Sequence, residues 1–395
     1  MASESKLRKT PWLAVFLALL VLGAITGTWF LLGHWEQGNE QVGTRTPIVM
    51  PVISIGMVGQ ANLRPGNAPA TTPTIVTNSE TASSPPKNVI GPDLTPESPQ
   101  VFQSKKLLRG AKPVTYIDDT CAYLRMRWDP NNAAPGTIIA PIMYHRVKEK
   151  PGERGVNQTY FKQTMRKAHE LGFQTITAEQ AADFLERNAN IPPRSLMLFV
   201  DDRRVPVINK HFMPFLKQYD WVVISSWIIA NTDERPGLWE RIEAAYATGR
   251  VDVQSHGLRH LYMIPGTPKK KIQEEINGPF PYFEEHFGYK PVAFIWPGGN
   301  YTPYAVRVAR KADYRIGFTI FPNGPVMFNW VPLQKTERKV GDPLLLLPRY
   351  HANSVKEQLP IAVEMGDKAR AQALAHYPQE AAWYREHCGG ELPRP

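Results

Sequence analysis

An α/β barrel is the fold class this sequence predicts, and three observations predict it. From about Val114 to Pro360, short β-rich runs alternate with segments of helical spacing, the pattern of a parallel sheet closed or nearly closed by outer helices. No internal repeat is visible within that alternation. Histidines and aspartates then recur where the strands end, which is where barrel active sites are assembled.

Taken in order, "TIIAPIMYH" reads as a strand ending at His145, and "TYFKQTMRKAHELG" as a helix closed by Gly172. "FQTITAEQAADFLERN" gives a strand and then a helix, with Thr177 as N-cap and Gln180 at the capping-box position. "SLMLFV" is a buried strand that runs straight into Asp201 and Asp202, followed by Arg203 and Arg204. The helical "VINKHFMPFLKQY", the strand "WVVISSWII", the helical "LWERIEAAYATG" and the strand "VDVQSH" come next. "KKKIQEEINGPFPYFEEHFG", "VAFIWP", "YAVRVARKA", "RIGFTI" and "LLLLPRYH" continue the alternation, and residues 361–395 look helical and then irregular.

Ahead of this domain, assigned to 113–360, lie three further segments. Residues 1–11 carry Lys6, Arg8 and Lys9, and residues 12–32 run without a charge for roughly twenty residues, enough to span a bilayer as a helix. Cations before the span place the N-terminus in the cytoplasm and the bulk of the chain outside the membrane. Residues 33–112 are rich in Pro, Ser, Thr, Asn and Gly and read as a mostly disordered linker, with "TPIVMPVISIGMVG" apolar enough to pack as a strand. Cys121 and Cys388 flank the globular region; a disulfide in an oxidising compartment and two free thiols both fit.

The chain has 395 residues, of which 43% are apolar, sufficient for one large core or two small ones. Its formal charge of +10 would suit an acidic partner such as nucleic acid or an anionic envelope, with general basicity as the plainer reading. No arginine-rich helix, zinc-finger spacing or aromatic-basic motif accompanies that charge, which argues against nucleic acid.

The strand ends concentrate the chemistry. "SHGLRH" holds His256 and His260 four residues apart, a spacing that brings both rings to one side of a helical turn, within reach of one metal ion. A carboxylate oxygen of Asp202 or Asp201 would complete a two-histidine, one-carboxylate site with an open position for water. The other aspartate would then be free to take a proton from that water. A solvated Asp-Asp turn paired to Arg203 and Arg204 is the alternative, but it leaves the histidines unexplained.

These motifs resemble those of the polysaccharide deacetylases, the NodB-homology group or carbohydrate esterase family 4, and among them the envelope-anchored poly-N-acetylglucosamine deacetylase type. The resemblance covers about Gly136 to Ser354 and implies an irregular (β/α) barrel of the NodB type. "LFVDDRR" stands where the family has Thr-Phe-Asp-Asp-Gly, which implies Asp201 as general base and Asp202 as metal ligand. "QSHGLRH" stands for His-Ser-His-Thr-x-x-His, implying His256 and His260 as ligands. "APIMYHRV" is similar to the opening strand and "FIWPGGN" to the groove motif, placing His145, Trp296 and Pro297 on the substrate side. The implied reaction is hydrolysis of an N-acetyl group from an amino-sugar polysaccharide, with a divalent metal, zinc first and cobalt or nickel next. His351, ending the last strand, is the candidate acid for the leaving amine, with His145 as its rival.

Three departures bear on that implication. Arg203 replaces the glycine after Asp-Asp, and the arginine many relatives carry before the Pro motif is absent, so Arg203 is expected to orient Asp201 instead. Gln254 replaces the first histidine of the second motif. The alternatives to a membrane-tethered N-deacetylase are a catalytically weakened glycan-binding scaffold of an export or wall-building complex, and an O-acetyl esterase.

Overall fold

The computed structural model describes residues 102–150 and 155–395, and the membrane span, residues 33–101 of the linker and the strand proposed in "TPIVMPVISIGMVG" lie outside the described residues. Among the described residues no helix is long and apolar enough to cross a membrane.

The strands in chain order are β1 (Lys112–Val114), β2 (Ile138–Tyr144), β3 (Val147–Lys148), β4 (Val156–Asn157), β5 (Gln174–Thr175), β6 (Arg194–Asp201), β7 (Val223–Trp227), β8 (Val251–Ser255), β9 (Ala293–Ile295), β10 (Ile316–Phe318), β11 (Val331–Leu333) and β12 (Tyr350–His351). Eight of them form one sheet in the order β10-β9-β8-β7-β6-β2-β12, with β5 paired on β6. Every pairing in it is parallel, as α/β alternation requires. The sheet curls, and a single segment meets both of its edges. Leu347 hydrogen-bonds with Gly317 and Thr319 at the β10 edge, while Tyr350 and His351 pair with β2. The barrel of the sequence reading is thus a curled parallel sheet whose closure rests on a few bonds.

Residue alternation sorts the side chains. Ile138, Ala140, Ile142 and Tyr144 of β2 join Leu196, Leu198 and Val200 of β6 in one buried cluster with Phe161, Phe212 and Ile242 from the helices. Ile139 of β2 and Met197 and Phe199 of β6 point the other way, into a second cluster with Phe294, Ile316 and Phe318. Asp201 continues the series Met197, Phe199, and His145 continues the β2 series from Ile139, so period two turns both toward the sheet's concave face.

Several helices follow the sequence reading. The helix Ala178–Arg187 has the Thr177–Gln180 capping box in place. The segment "KKKIQEEINGPFPYFEEHFG" forms two helices, Lys269–Asn277 and Pro279–Phe287, because Pro279 supplies no N–H to continue the first. "LLLLPRYH" is a strand only at its end: Pro343–Leu345 is a 3-10 turn, and Pro348 interrupts the ladder before Tyr350. One helix, Val355–His387, runs through Pro360, where the sequence suggests the domain ends. Its Leu359, Ala362 and Met365 pack into the core beneath β2. Its far end is tied to the helix Thr120–Trp128 by a Cys121–Cys388 disulfide and by Trp128 Nε1 donating to Glu380.

Candidate active site

Asp201 ends β6 and is 1% exposed. A bare carboxylate at such depth is costly, and three hydrogen bonds from two side chains answer it. Arg349 Nη1 lies 2.8 and 2.9 Å from its two oxygens, and Ser226 Oγ, one strand away on β7, donates to Oδ1 at 2.7 Å. Arg349 is itself 1% exposed, donates from Nε to the Thr319 carbonyl at 2.7 Å and lies over the Phe199 ring. Burial pushes the Asp201 carboxyl up, but Arg349, followed by His256 and His145, wins and holds it well below the usual carboxylate range. This corrects the role expected of Arg203. The orienting arginine comes from the closing segment, and Arg203 turns away to donate to the Ala230 carbonyl.

Asp202 lies just beyond the strand, half-buried, with φ 66°. The left-handed step falls on Asp202 and not on Arg203, so an arginine fits at the glycine position without backbone strain. One donor atom each of Asp202, His256 and His260 lies within 4.8 Å of the others. The two imidazole rings meet edge to face, centroids 4.7 Å apart, and His260 Nε2 is 3.9 Å from Asp202 Oδ1.

The histidines are not on a helical turn, as their spacing suggested. His256 leaves β8 into a loop that turns left-handed at Gly257 (φ 84°) and again at His260 (φ 61°). Glu275, buried on the helix Lys269–Asn277, shapes that loop. Its carboxylate accepts from the backbone N–H of Arg259 (2.9 Å) and of Leu261 (2.9 Å), the two neighbours of His260. A Cβ at Gly257 would stand 2.2 Å from Glu275 Oε1, so both the φ and the contact require glycine. Sequence reasoning passed over Glu275, although it shares the buried stripe of Ile272 and Ile276, where an acid is out of place.

His256 carries the clearest mark of an intended ligand. Its Nδ1 donates to the Ile295 carbonyl at 2.8 Å, which fixes the tautomer and leaves Nε2 buried with no hydrogen-bond partner. Burial, opposed by Asp201, keeps this ring neutral, and burial likewise lowers His260 against the pull of Asp202. Two neutral imidazoles and a carboxylate, one lone pair unsatisfied, fit a divalent cation.

The remaining candidates divide. His145 ends β2 with its ring about half exposed, Nε2 3.8 Å from Asp201 Oδ2. His351 ends β12 beside it and is lowered by burial, then by Arg349 and His145. Pro297 is buried in a short turn. Trp296 is wholly buried, its indole donating to the Leu345 carbonyl at 2.7 Å, which corrects the expectation of a sugar-facing ring. The exposed aromatic at this edge is Tyr262, 5.4 Å from the His260 ring. Gln254 bridges Asp252 and the Ala293 N–H, a structural link away from the triad.

Residues 188–317 match the family model described as polysaccharide deacetylase, a span that holds the Asp pair and both histidines and ends before Arg349 and His351. The match supports a polysaccharide deacetylase domain. A protein of Bacillus subtilis (strain 168) named for polysaccharide deacetylase, YxkH, is 23% identical over 224 residues, 57% of this chain and 77% of that one. Among solved structures, the Streptococcus pyogenes deacetylase PplD in complex with acetate aligns at 19% identity with a TM-score of 0.49, covering 58% of this chain and 99% of that chain. IcaB from Ammonifex degensii aligns at 19% identity with a TM-score of 0.46, covering 59% and 98%.

Proposed function

We propose that this chain is a metal-dependent hydrolase that removes N-acetyl groups from an N-acetylglucosamine-containing polysaccharide of the cell envelope. The observation that carries the reading is the division of labour between adjacent carboxylates, one buried and clamped by an arginine, the other grouped with two neutral imidazoles. Asp202, His256 and His260 would hold the cation, zinc before cobalt or nickel. That ion supplies polarisation of the amide carbonyl and a water of lowered pKa.

Asp201 would serve as the base for the attacking water. Oδ1 accepts from both Ser226 and Arg349 while Oδ2 accepts from Arg349 alone, so Oδ2 is the oxygen with a lone pair to spare. His351, at the end of β12, would donate to the leaving amine. His145, ring half exposed beside Asp201, faces the substrate. The charge-free run 12–32 would tether the domain at the outer face of the membrane, with 33–112 as spacer, within reach of a polysaccharide-synthesis complex.

The test is acetate release from N-acetylglucosamine oligomers by the full chain. Release that a chelator abolishes and zinc restores, and that Asp201→Asn loses while keeping its metal, is the expected result. A protein that binds the oligomers but frees no acetate with any divalent metal is a glycan-binding scaffold instead.

A further inference from the structure

Positive charge at the mouth of the site is the feature this chemistry does not use. A cavity that shares Asp202 and His260 with the triad is walled by Arg203, Arg204, Arg235 and Arg259. Among the described residues only Arg204 of the four has a carboxylate partner, and that partner is Asp202 itself, at 3.3 Å. Arg204 Nε is buried without a hydrogen bond, and the Arg235 and Arg259 residues are exposed. Gathered guanidiniums repel one another in the empty protein, and an entering anion turns that repulsion into attraction. Their planar forks match carboxylate and phosphate oxygens two at a time.

We propose that this cavity binds an acid group, a carboxylate or a phosphodiester, on the sugar next to the one deacetylated, so that the substrate class is an acidic N-acetylated polysaccharide. The assignment rests on the deacetylase reading. The cavity and the triad share Asp202 and His260, so a group bound in one is within a sugar's reach of the other.

The experiment compares three oligomers of equal length on the zinc-loaded full chain: neutral N-acetylglucosamine, the same sugar alternating with glucuronate, and N-acetylhexosamine joined by phosphodiesters. The expected result is a preference of about tenfold or more in kcat/KM for one acid-bearing oligomer over the neutral one, the size of a charge-assisted contact. Which oligomer wins tells carboxylate from phosphate. The preference should collapse at about 0.5 M salt and in Arg235→Ala/Arg259→Ala. It should persist in Lys290→Ala, a charge loss at the opposite strand end, ahead of β9. Equal or better turnover of the neutral oligomer overturns the proposal and leaves the deacetylase reading standing. Dissociation constants on zinc-loaded Asp201→Asn cover the remaining case. If no oligomer yields acetate, acid-selective binding that the double variant loses supports the cavity and removes only the deacetylase reading, while equal binding of all three overturns the cavity.

Discussion

Asp201 and Asp202 are joined by one peptide bond, yet they belong to two differently built regions. Around Asp201 is a floor made of strand ends: Ser226 from β7, Arg349 from the closing segment and the Thr319 carbonyl after β10, all buried and joined by hydrogen bonds. Around Asp202 is a mouth made of loops, where Arg203, Arg235 and Arg259 form no ion pair among the described residues and His256 Nε2 has no hydrogen-bond partner. The floor's acid is satisfied before any ligand arrives, and the one atom of its clamp left over is Arg349 Nη2, buried without a hydrogen bond. The mouth is left incomplete, and incompleteness there marks where metal and substrate would supply the missing partners.

The largest expected effect breaks the floor chemically while sparing its shape. Asp201→Asn keeps the acceptor for Ser226 but cannot take a proton, so turnover should fall by about 10²- to 10⁴-fold. Circular dichroism and metal content should match the parent. Loss of metal together with activity would mean that Asp201 belongs to the ligand set.

Next comes the clamp. Arg349→Met strands Asp201 in a buried site, and losing one partner of a buried pair costs about 3–5 kcal/mol. Denaturant unfolding should show that cost, and Arg349→Met/Asp201→Asn should recover much of it. The sign with pH follows from linkage. In the parent, the depressed Asp201 carboxyl contributes stability above its unfolded pKa and loses it as pH falls through the folded value. In Arg349→Met, burial raises the same group instead, so the variant loses stability as pH rises through the ordinary carboxylate range. The gap between the two proteins should therefore narrow on acidification toward pH ~4. A constant gap would show that Arg349 acts by packing, not by charge.

How much of this was legible in the sequence follows the same division. The acids ending β6 and the histidines after β8 stood out because strand ends collect function and the side chains are chemically distinctive. The helix capped by Thr177 was legible because its signal is local. Arg349 was visible as a strand-end residue, but its pairing with Asp201 spans 148 positions and exists only once the sheet curls. For Trp296 the resemblance to the groove motif suggested a sugar-facing ring and its apolar surroundings a core one, and the core reading holds, its indole finding a carbonyl partner there. The helical turn expected for His256 and His260 failed because left-handed steps at Gly257 and His260 are set by Glu275, from another element.

Glu275 links the two regions, since it is buried like the floor and shapes a loop of the mouth. Glu275→Gln keeps the size but leaves one carbonyl oxygen to accept where two now serve Arg259 and Leu261. Outer partners of this kind typically change metal affinity or activity about 10- to 100-fold. Zinc affinity should weaken by that factor while the unfolding midpoint of the metal-free protein moves little. An equal loss in both would make Glu275 a fold residue without a particular bearing on the ligands.

The smallest expected effect is on stability at the mouth. Arg235→Ala/Arg259→Ala removes two exposed cations that form no ion pair among the described residues, and buried Glu275, which Arg259 helps to keep charged, retains its backbone N–H donors. Such surface changes usually stay within about 0.5 kcal/mol, and relief of repulsion with Arg203 puts the sign toward stabilisation. Denaturant midpoints at low and at high salt would read this, because a gain from relieved repulsion shrinks as salt screens it. The contrast with Arg349 is then complete: one arginine is held in place by the acid it clamps, while the others wait on an anion from outside. A loss of several kcal/mol in the double variant would instead place these arginines with the floor, as structural residues whose charge has no ligand to meet.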